Sequence, residues 1–187
     1  MLSISLPQAN RILVSAPFLK DPNFDRAVIY LNEHSETGSM GFILNHPFGV
    51  KLNNLMPDLY GCEMEVYYGG PVAVDTLHFL HNCYDRLQSG EKIGEGVYWG
   101  GDFETLKLLL NNNIIQEHEI KFFLGYTGWS ENQLQTEIEE NTWIVSEKAY
   151  SDWVFSRDPE FLWRDVLVAL GPKYAHVGQF PKDPNLN

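Results

Sequence analysis

Residues 121–145, KFFLGYTGWSENQLQTEIEENTWIV, read as strand, helix, strand. Lys121 to Leu124 and Trp143 to Val145 are short apolar and aromatic runs of the kind that form buried strands. Between them Ser130 is expected to cap a helix, with Gln133 three residues on as the reciprocal partner of a capping box. Trp129 before the cap and Leu134 beyond it then form a hydrophobic staple. Working outward, Asp102 caps a second helix through Phe103, Leu106, Leu109 and Leu110 that ends in Asn111-Asn112-Asn113. Asp158-Pro159 opens a third, through Leu162, Val166 and Leu170, and Gly171-Pro172 stops it. Six further strands are expected at Ile12 to Val14, Ala27 to Leu31, Gly41 to Leu44, Glu65 to Tyr68, Leu77 to Leu80 and Val97 to Trp99. Strands flank the helices that start at Asp102 and Ser130, which makes the class mixed, α/β or α+β.

The chain has 187 residues, 44% hydrophobic and 20% charged, and no Ser/Gly-rich linker divides it. One domain with a real core is expected. Its 13 basic and 25 acidic side chains leave a net charge of −12. That balance argues against a protein built to grip nucleic-acid phosphates or an anionic membrane surface. No run approaches the ~20 apolar residues of a membrane helix. No basic residue precedes Arg11, and Pro7 interrupts the start, so a secretory signal is not expected and the cytoplasm is. Cys62 and Cys83 form no C-x-x-C pair and read as free thiols.

Phosphate-loop, dinucleotide, nucleophile-elbow and zinc-protease signatures are all missing from the sequence. His78, His81 and Cys83 form H-x-x-H-x-C, but on a strand His78 points away from the other two, so no metal site is expected. Asn45-His46-Pro47 follows a strand, and so does His34 beside Glu33. If both strand ends share an edge, His34 and Asn45 face one cleft. Val66-Tyr67-Tyr68-Gly69-Gly70 is echoed by Val97-Tyr98-Trp99-Gly100-Gly101. Each double glycine permits close approach of a backbone or a ligand. Gln133 and Glu137 lie on one helix face. Gln133 reads as the capping-box residue and Glu137 as a solvated carboxylate. The aromatic residues Trp153, Phe161 and Trp163 near the third helix read as core.

The blocks APFLKDPNFDRAVIYLNEH (16–34), GSMGFILNHP (38–47), VYYGGPV (66–72) and GYTGWSENQLQTEIEENTWIV (125–145), with the helix Phe161 to Leu170, resemble in order and spacing the YqgE/AlgH family of bacterial proteins. Two departures stand out. Ser130, Glu131 and Asn132 replace the family's usual Gly-Pro-Gly, and His46 replaces an arginine. The resemblance implies an α+β single domain over residues 1–187, a bent, partly barrel-like sheet surrounded by helices, and a loose tail from about residue 179. It implies no cofactor, metal or catalytic residue. Family members often carry a transcriptional-regulator label without an established activity. The charge and the lack of a basic helix-turn-helix argue against direct DNA contact.

The resulting expectation is a cytoplasmic regulatory or adaptor protein, acting through a small ligand or a protein partner. The ligand cleft is expected to use His34, Asn45, Gly69, Gly70, Tyr126, Trp129 and Gln133. The glycines admit a close approach, Asn45 and Gln133 orient by hydrogen bonds, and Tyr126 and Trp129 supply apolar area. Two alternatives remain open: an enzyme with His34 or His46 as general base near Glu137 or Glu33, and a regulator that binds DNA directly. Homo-oligomerisation is also left open.

Overall fold

A computed structural model describes Ser3 and residues 5–180. Ten strands follow in order: β1 (Arg11–Ser15), β2 (Val28–Ser35), β3 (Gly38–Ile43), β4 (Pro47–Lys51), β5 (Glu65–Tyr68), β6 (Val72–His81), β7 (Glu91–Gly94), β8 (Val97–Trp99), β9 (Ile120–Ser130) and β10 (Trp143–Ser146). Seven helices among the described residues sit between and after them: α1 (Leu52–Leu55), α2 (Tyr84–Leu87), α3 (Phe103–Asn111), α4 (Gln133–Glu139), α5 (Ser151–Val154), α6 (Pro159–Ala169) and α7 (Pro172–Ala175). None is long and apolar enough to cross a membrane.

The strands run in the order β10-β1-β2-β3-β9-β6-β8-β7, with antiparallel neighbours throughout. β5 adds a parallel pairing to β9, and β4 pairs with β5. β9 is the spine of this sheet. Its C-terminal half pairs with β3, from Gly41↔Thr127 to Gly38↔Ser130. Its N-terminal half takes β5 on the β3 side and β6 on the other. The sheet curls into a half-barrel, and its far end closes back on β2. There the buried Tyr30 hydroxyl lies 2.9 Å from Asn10 Oδ1 and 3.2 Å from the carbonyl of Ile93 in β7. The architecture is a single α+β domain.

Alternation along the strands builds the core on both faces of this sheet. Ile12, Val14, Tyr30, Phe42 and Phe123 point to the concave side, where Trp163, Val166 and Leu167 of α6 cover them. Leu13, Ile29, Ile43 and Trp143 point outward beneath Leu134 and Ile138 of α4. Phe79, Phe122 and Leu124 pack beneath Leu106 and Leu110 of α3. Burial on both faces explains why β1 and β2 read as continuous apolar runs and not as alternating ones.

The expected elements all form, with revised boundaries. Asp102 caps α3 through a 2.8 Å bond from the Thr105 N–H. α6 starts at Pro159 as expected, although Asp158 makes no side-chain cap, and Gly171 ends it at φ 106°. α4 starts at Gln133 and not directly after Ser130, because Asn132 turns the chain through a positive φ of 59°. Only the glutamine half of the capping box forms: Gln133 Oε1 accepts from the Ser130 N–H at 3.0 Å. β4 and β7 were not foreseen. The strand expected at Lys121 to Leu124 runs on through Gly125 to Ser130. This second half is held by β3 and by the Thr127 hydroxyl, which donates to the Gly41 carbonyl at 2.9 Å. The tail expected from about residue 179 falls mostly outside the described residues. Gln179 belongs to a 3-10 turn, and Phe180 stacks on Phe18 at 5.6 Å.

Candidate functional site

Asn45 follows β3 and is buried. Its Oδ1 accepts from the Val28 N–H at 2.8 Å, and its Nδ2 donates to the Arg26 carbonyl at 2.9 Å. One carboxamide therefore fixes the tight turn that leads into β2, where Arg26 adopts a φ of 50°. That turn aims the Arg26 guanidinium over the indole of Trp163, 4.8 Å from the ring centre. It also lets Arg26 Nη2 donate to the Phe180 carbonyl. Trp163 is buried and anchored in turn, its Nε1 donating to the Ser15 carbonyl at 3.0 Å. On α6, Phe161 and Arg164 are three residues apart and share a face. The Arg164 guanidinium lies 4.6 Å from the Phe161 ring centre. His46 places Nε2 3.0 Å from the Asp25 carbonyl oxygen.

These groups line a cleft of ≈ 610 Å³ between the start of β2, the start of β4 and α6. The size suits a small organic ligand. Asp25 and Glu160 share the lining with Arg26 and Arg164, so basic and acidic groups balance there. In a chain of net charge −12 this is a local enrichment in cations. Each guanidinium is stacked on an aromatic face; Nη2 of Arg26 is engaged by the Phe180 carbonyl and that of Arg164 by Asp165 at 3.5 Å, which leaves their other N–H groups for a carboxylate or phosphate.

The residues expected to form one site are dispersed. Asn45 lines the cleft, but its amide is committed to the β2 turn. His34 does not join it. Antiparallel pairing puts the C-terminal ends of β2 and β3 at opposite edges, so about 20 Å of strand separates His34 from the Val28 end that Asn45 holds. His34 Nδ1 lies 2.7 Å from the Ser39 hydroxyl, and partial burial lowers its pKa. Gly69 and Gly70 admit a backbone, as expected, but it is the protein's own β9. A Cβ on Gly69 would stand 2.1 Å from the Gly125 carbonyl, and one on Gly70 2.3 Å from that of Tyr126. Tyr126 and Trp129 line a shallow groove of ≈ 460 Å³ with Glu33 and Met40. His34 lines a different groove, beside Asn132 and Gln135, because adjacent strand residues face opposite ways.

Glu137 is not the solvated carboxylate that was expected. Its Oε2 accepts from the indoles of Trp129 and Trp143 at 2.8 and 2.7 Å, and its Oε1 from Gln133 Nε2 at 2.9 Å. Gln133 thus ties the end of β9 to α4. His78 and His81 point to opposite faces of β6, as the spacing implied. His81 Nδ1 lies 3.6 Å from Cys83 Sγ, while His78 is surrounded by Phe42, Trp99 and Tyr126. Arg26 was missed as a site residue, since nothing local marks it. The i, i+3 pairing of Phe161 and Arg164 was a legible signal of one shared face.

A half-barrel α+β domain with a helix-flanked cleft is the class that fold and geometry define. The AlgH-like family model matches residues 12–175, and the chain belongs to that family. A UPF0301 protein of Cytophaga hutchinsonii is 39% identical over 95% of this chain and 97% of its own. Another, from Bacteroides thetaiotaomicron, is 40% identical over 97% and 92%. Among solved structures, the AlgH protein of Pseudomonas aeruginosa is similar with a TM-score of 0.72 and 30% identity, covering 90% of this chain and 92% of that one. A Corynebacterium diphtheriae protein has the same fold, with a TM-score of 0.77 at 24% identity over 94% of each chain.

Proposed function

We propose that this AlgH-like protein is a cytoplasmic regulatory protein that binds a small anionic aromatic ligand in the cleft between β2, β4 and α6. The observation that carries this reading is the pair of guanidiniums, Arg26 over Trp163 and Arg164 over Phe161, opening on one ≈ 610 Å³ cleft. The arginines supply charge-assisted hydrogen bonds to a carboxylate, sulfonate or phosphate. The partly exposed rings of Phe161 and Phe180 supply apolar area for the ligand's own ring. A regulatory role through binding is favoured over direct DNA contact by the net charge of −12. It is favoured over acid–base catalysis because Glu33 and His34 line different grooves, and both oxygens of Glu137 are already engaged.

The test uses anilinonaphthalene sulfonate, a fluorescent anionic aromatic probe, on the folded protein. One saturable site is expected, weakened on the order of tenfold by Arg164→Ala, the loss of about one charge-assisted hydrogen bond. Equal binding by the wild type and by an Arg164→Ala, Phe161→Ala double variant overturns the reading.

A further inference from the structure

Lys121 is a charged residue type placed where no charge is solvated. It follows Ile120 at the start of β9 and points to the concave side with Phe123, and it is 4% exposed. Its Nζ donates to the Ser156 carbonyl at 2.9 Å and lies 4.2 Å from the centre of the Tyr67 ring. These are its polar partners among the described residues. Two carboxylates line the same small cavity, and each is engaged elsewhere: Glu65 by Lys51 at 2.8 Å, Glu117 by Arg157. The Arg157–Glu117 pair is half-exposed and stands at the cavity's solvent side. The cavity has a volume of ≈ 20 Å³, room for about one water molecule.

Burial penalises the ammonium form, and the Arg157 cation adds to the effect; together they bring the amine down to about 7. Near neutral pH, on the order of a thousand-fold more of this side chain is therefore neutral than of an exposed lysine. A neutral amine is a nucleophile. The cavity admits only the smallest electrophiles to it.

We propose that Lys121 is a carbon dioxide-binding site, forming a lysine carbamate. The amine lone pair attacks the carbon of CO2, forming the N–C bond, while one C=O π pair moves onto oxygen. The ammonium proton released from nitrogen passes to water at the cavity's open side. No oxidant, reductant or leaving group is needed. The carbamate nitrogen keeps one N–H, which can go on donating to the Ser156 carbonyl. The new carboxylate faces Arg157, which exchanges Glu117 for it. Lys121 thereby changes from a cation-forming group to an anion, beside the loop between α5 and α6 that carries Ser156 and Arg157. This inference does not rest on the ligand cleft described above, which other residues line.

The experiment equilibrates the full chain with ¹³C-bicarbonate and reads the carbamate carbonyl by ¹³C NMR. A trialkyloxonium salt then traps the adduct as its ester, and peptide mass spectrometry locates it. The expected result is a bicarbonate-dependent signal that persists at neutral pH, with the trapped ester on Lys121. The signal is lost in Lys121→Arg. It falls at least several-fold in Arg157→Leu, a change at a half-exposed position that keeps the proposal testable if Lys121→Arg does not fold. No ester on Lys121 in the folded wild-type chain, or esters confined to the N-terminus and other lysines, overturns the proposal.

Discussion

Trp129 and Trp143 donate their indole N–H groups to the same oxygen of Glu137, at 2.8 and 2.7 Å, with the rings edge-on and their centres 6.0 Å apart. Trp129 comes from β9 and Trp143 from β10, so one carboxylate on α4 joins two strands that are not neighbours in the sheet. Both indoles are buried and would otherwise lack an acceptor. Glu137→Ala orphans both N–H groups and is expected to cost about 2–4 kcal/mol. Glu137→Gln keeps an acceptor oxygen and is expected to cost less than half as much. Urea denaturation followed by tryptophan fluorescence checks both values, and equal losses would contradict the two-indole account.

Gly70 and Gly128 offer a paired test of where glycine is needed. Gly70 has a φ of 150°, and a Cβ there would stand 2.3 Å from the Tyr126 carbonyl. Gly128 would place its Cβ 3.5 Å from the nearest atom, an ordinary contact. Gly70→Ala is expected to forbid the β5–β9 crossing and to cost more than about 3 kcal/mol or prevent folding. Gly128→Ala is expected within about 1 kcal/mol of the wild type. Thermal melts of the two variants distinguish them.

Acid sensitivity follows from buried bases. Desolvation lowers the pKa of His78 and His81 below the ordinary value of 6.5. Between 6.5 and the folded value the unfolded chain holds the proton and the folded chain does not, so stability falls as pH drops through that window. Lys121 acts with the same sign higher up. Its contribution rises with pH between about 7 and 10.5 and is flat below 7. His78 Nε2 is buried without a partner, and its ring already sits among Phe42, Trp99 and Tyr126. His78→Phe is therefore expected to be neutral or stabilising at pH 7 and to blunt the loss on acidification. Relative to wild type, Lys121→Met is expected to lose ground by up to about 1.4 kcal/mol per pH unit above 7. Urea midpoints across pH measure both effects.

The strands with β-branched and aromatic runs were legible in the sequence because side-chain burial on both faces leaves a continuous apolar signature. β4 and β7 were not, because they lie largely at the surface, Pro47 and Gly49 interrupt β4, and β7 is half charged and ends in Gly94. The helix caps were legible to within three residues. Ser130 misled because the pairing of β3 with β9 outweighs a local capping preference and keeps that residue extended. Around the candidate site, Asn45 was visible as a residue with a task, and the task is to hold the Arg26–Val28 turn. Glu137 looked solvated because its acceptors' partners, Trp129 and Trp143, lie eight and six positions away on strands whose packing no helical periodicity reports.

What the sequence determined by itself is local: which segments bury their side chains, where helices begin and end, the acidity that disfavours binding to a nucleic-acid backbone, and the family pattern. Those properties depend on a residue and its near neighbours. The tertiary structure decided what meets what. It set His34 and Asn45 at opposite ends of one hairpin, spent Gly69 and Gly70 on the approach of β9, stacked Arg26 on Trp163 across most of the chain length, and buried Lys121 beside a small cavity. The first follows from the antiparallel pairing of β2 with β3, and the others from which strands and helices the curled sheet brings together. β9 pairs with β3, β5 and β6 and so carries strands distant in sequence onto one another, and no window along the chain reports it.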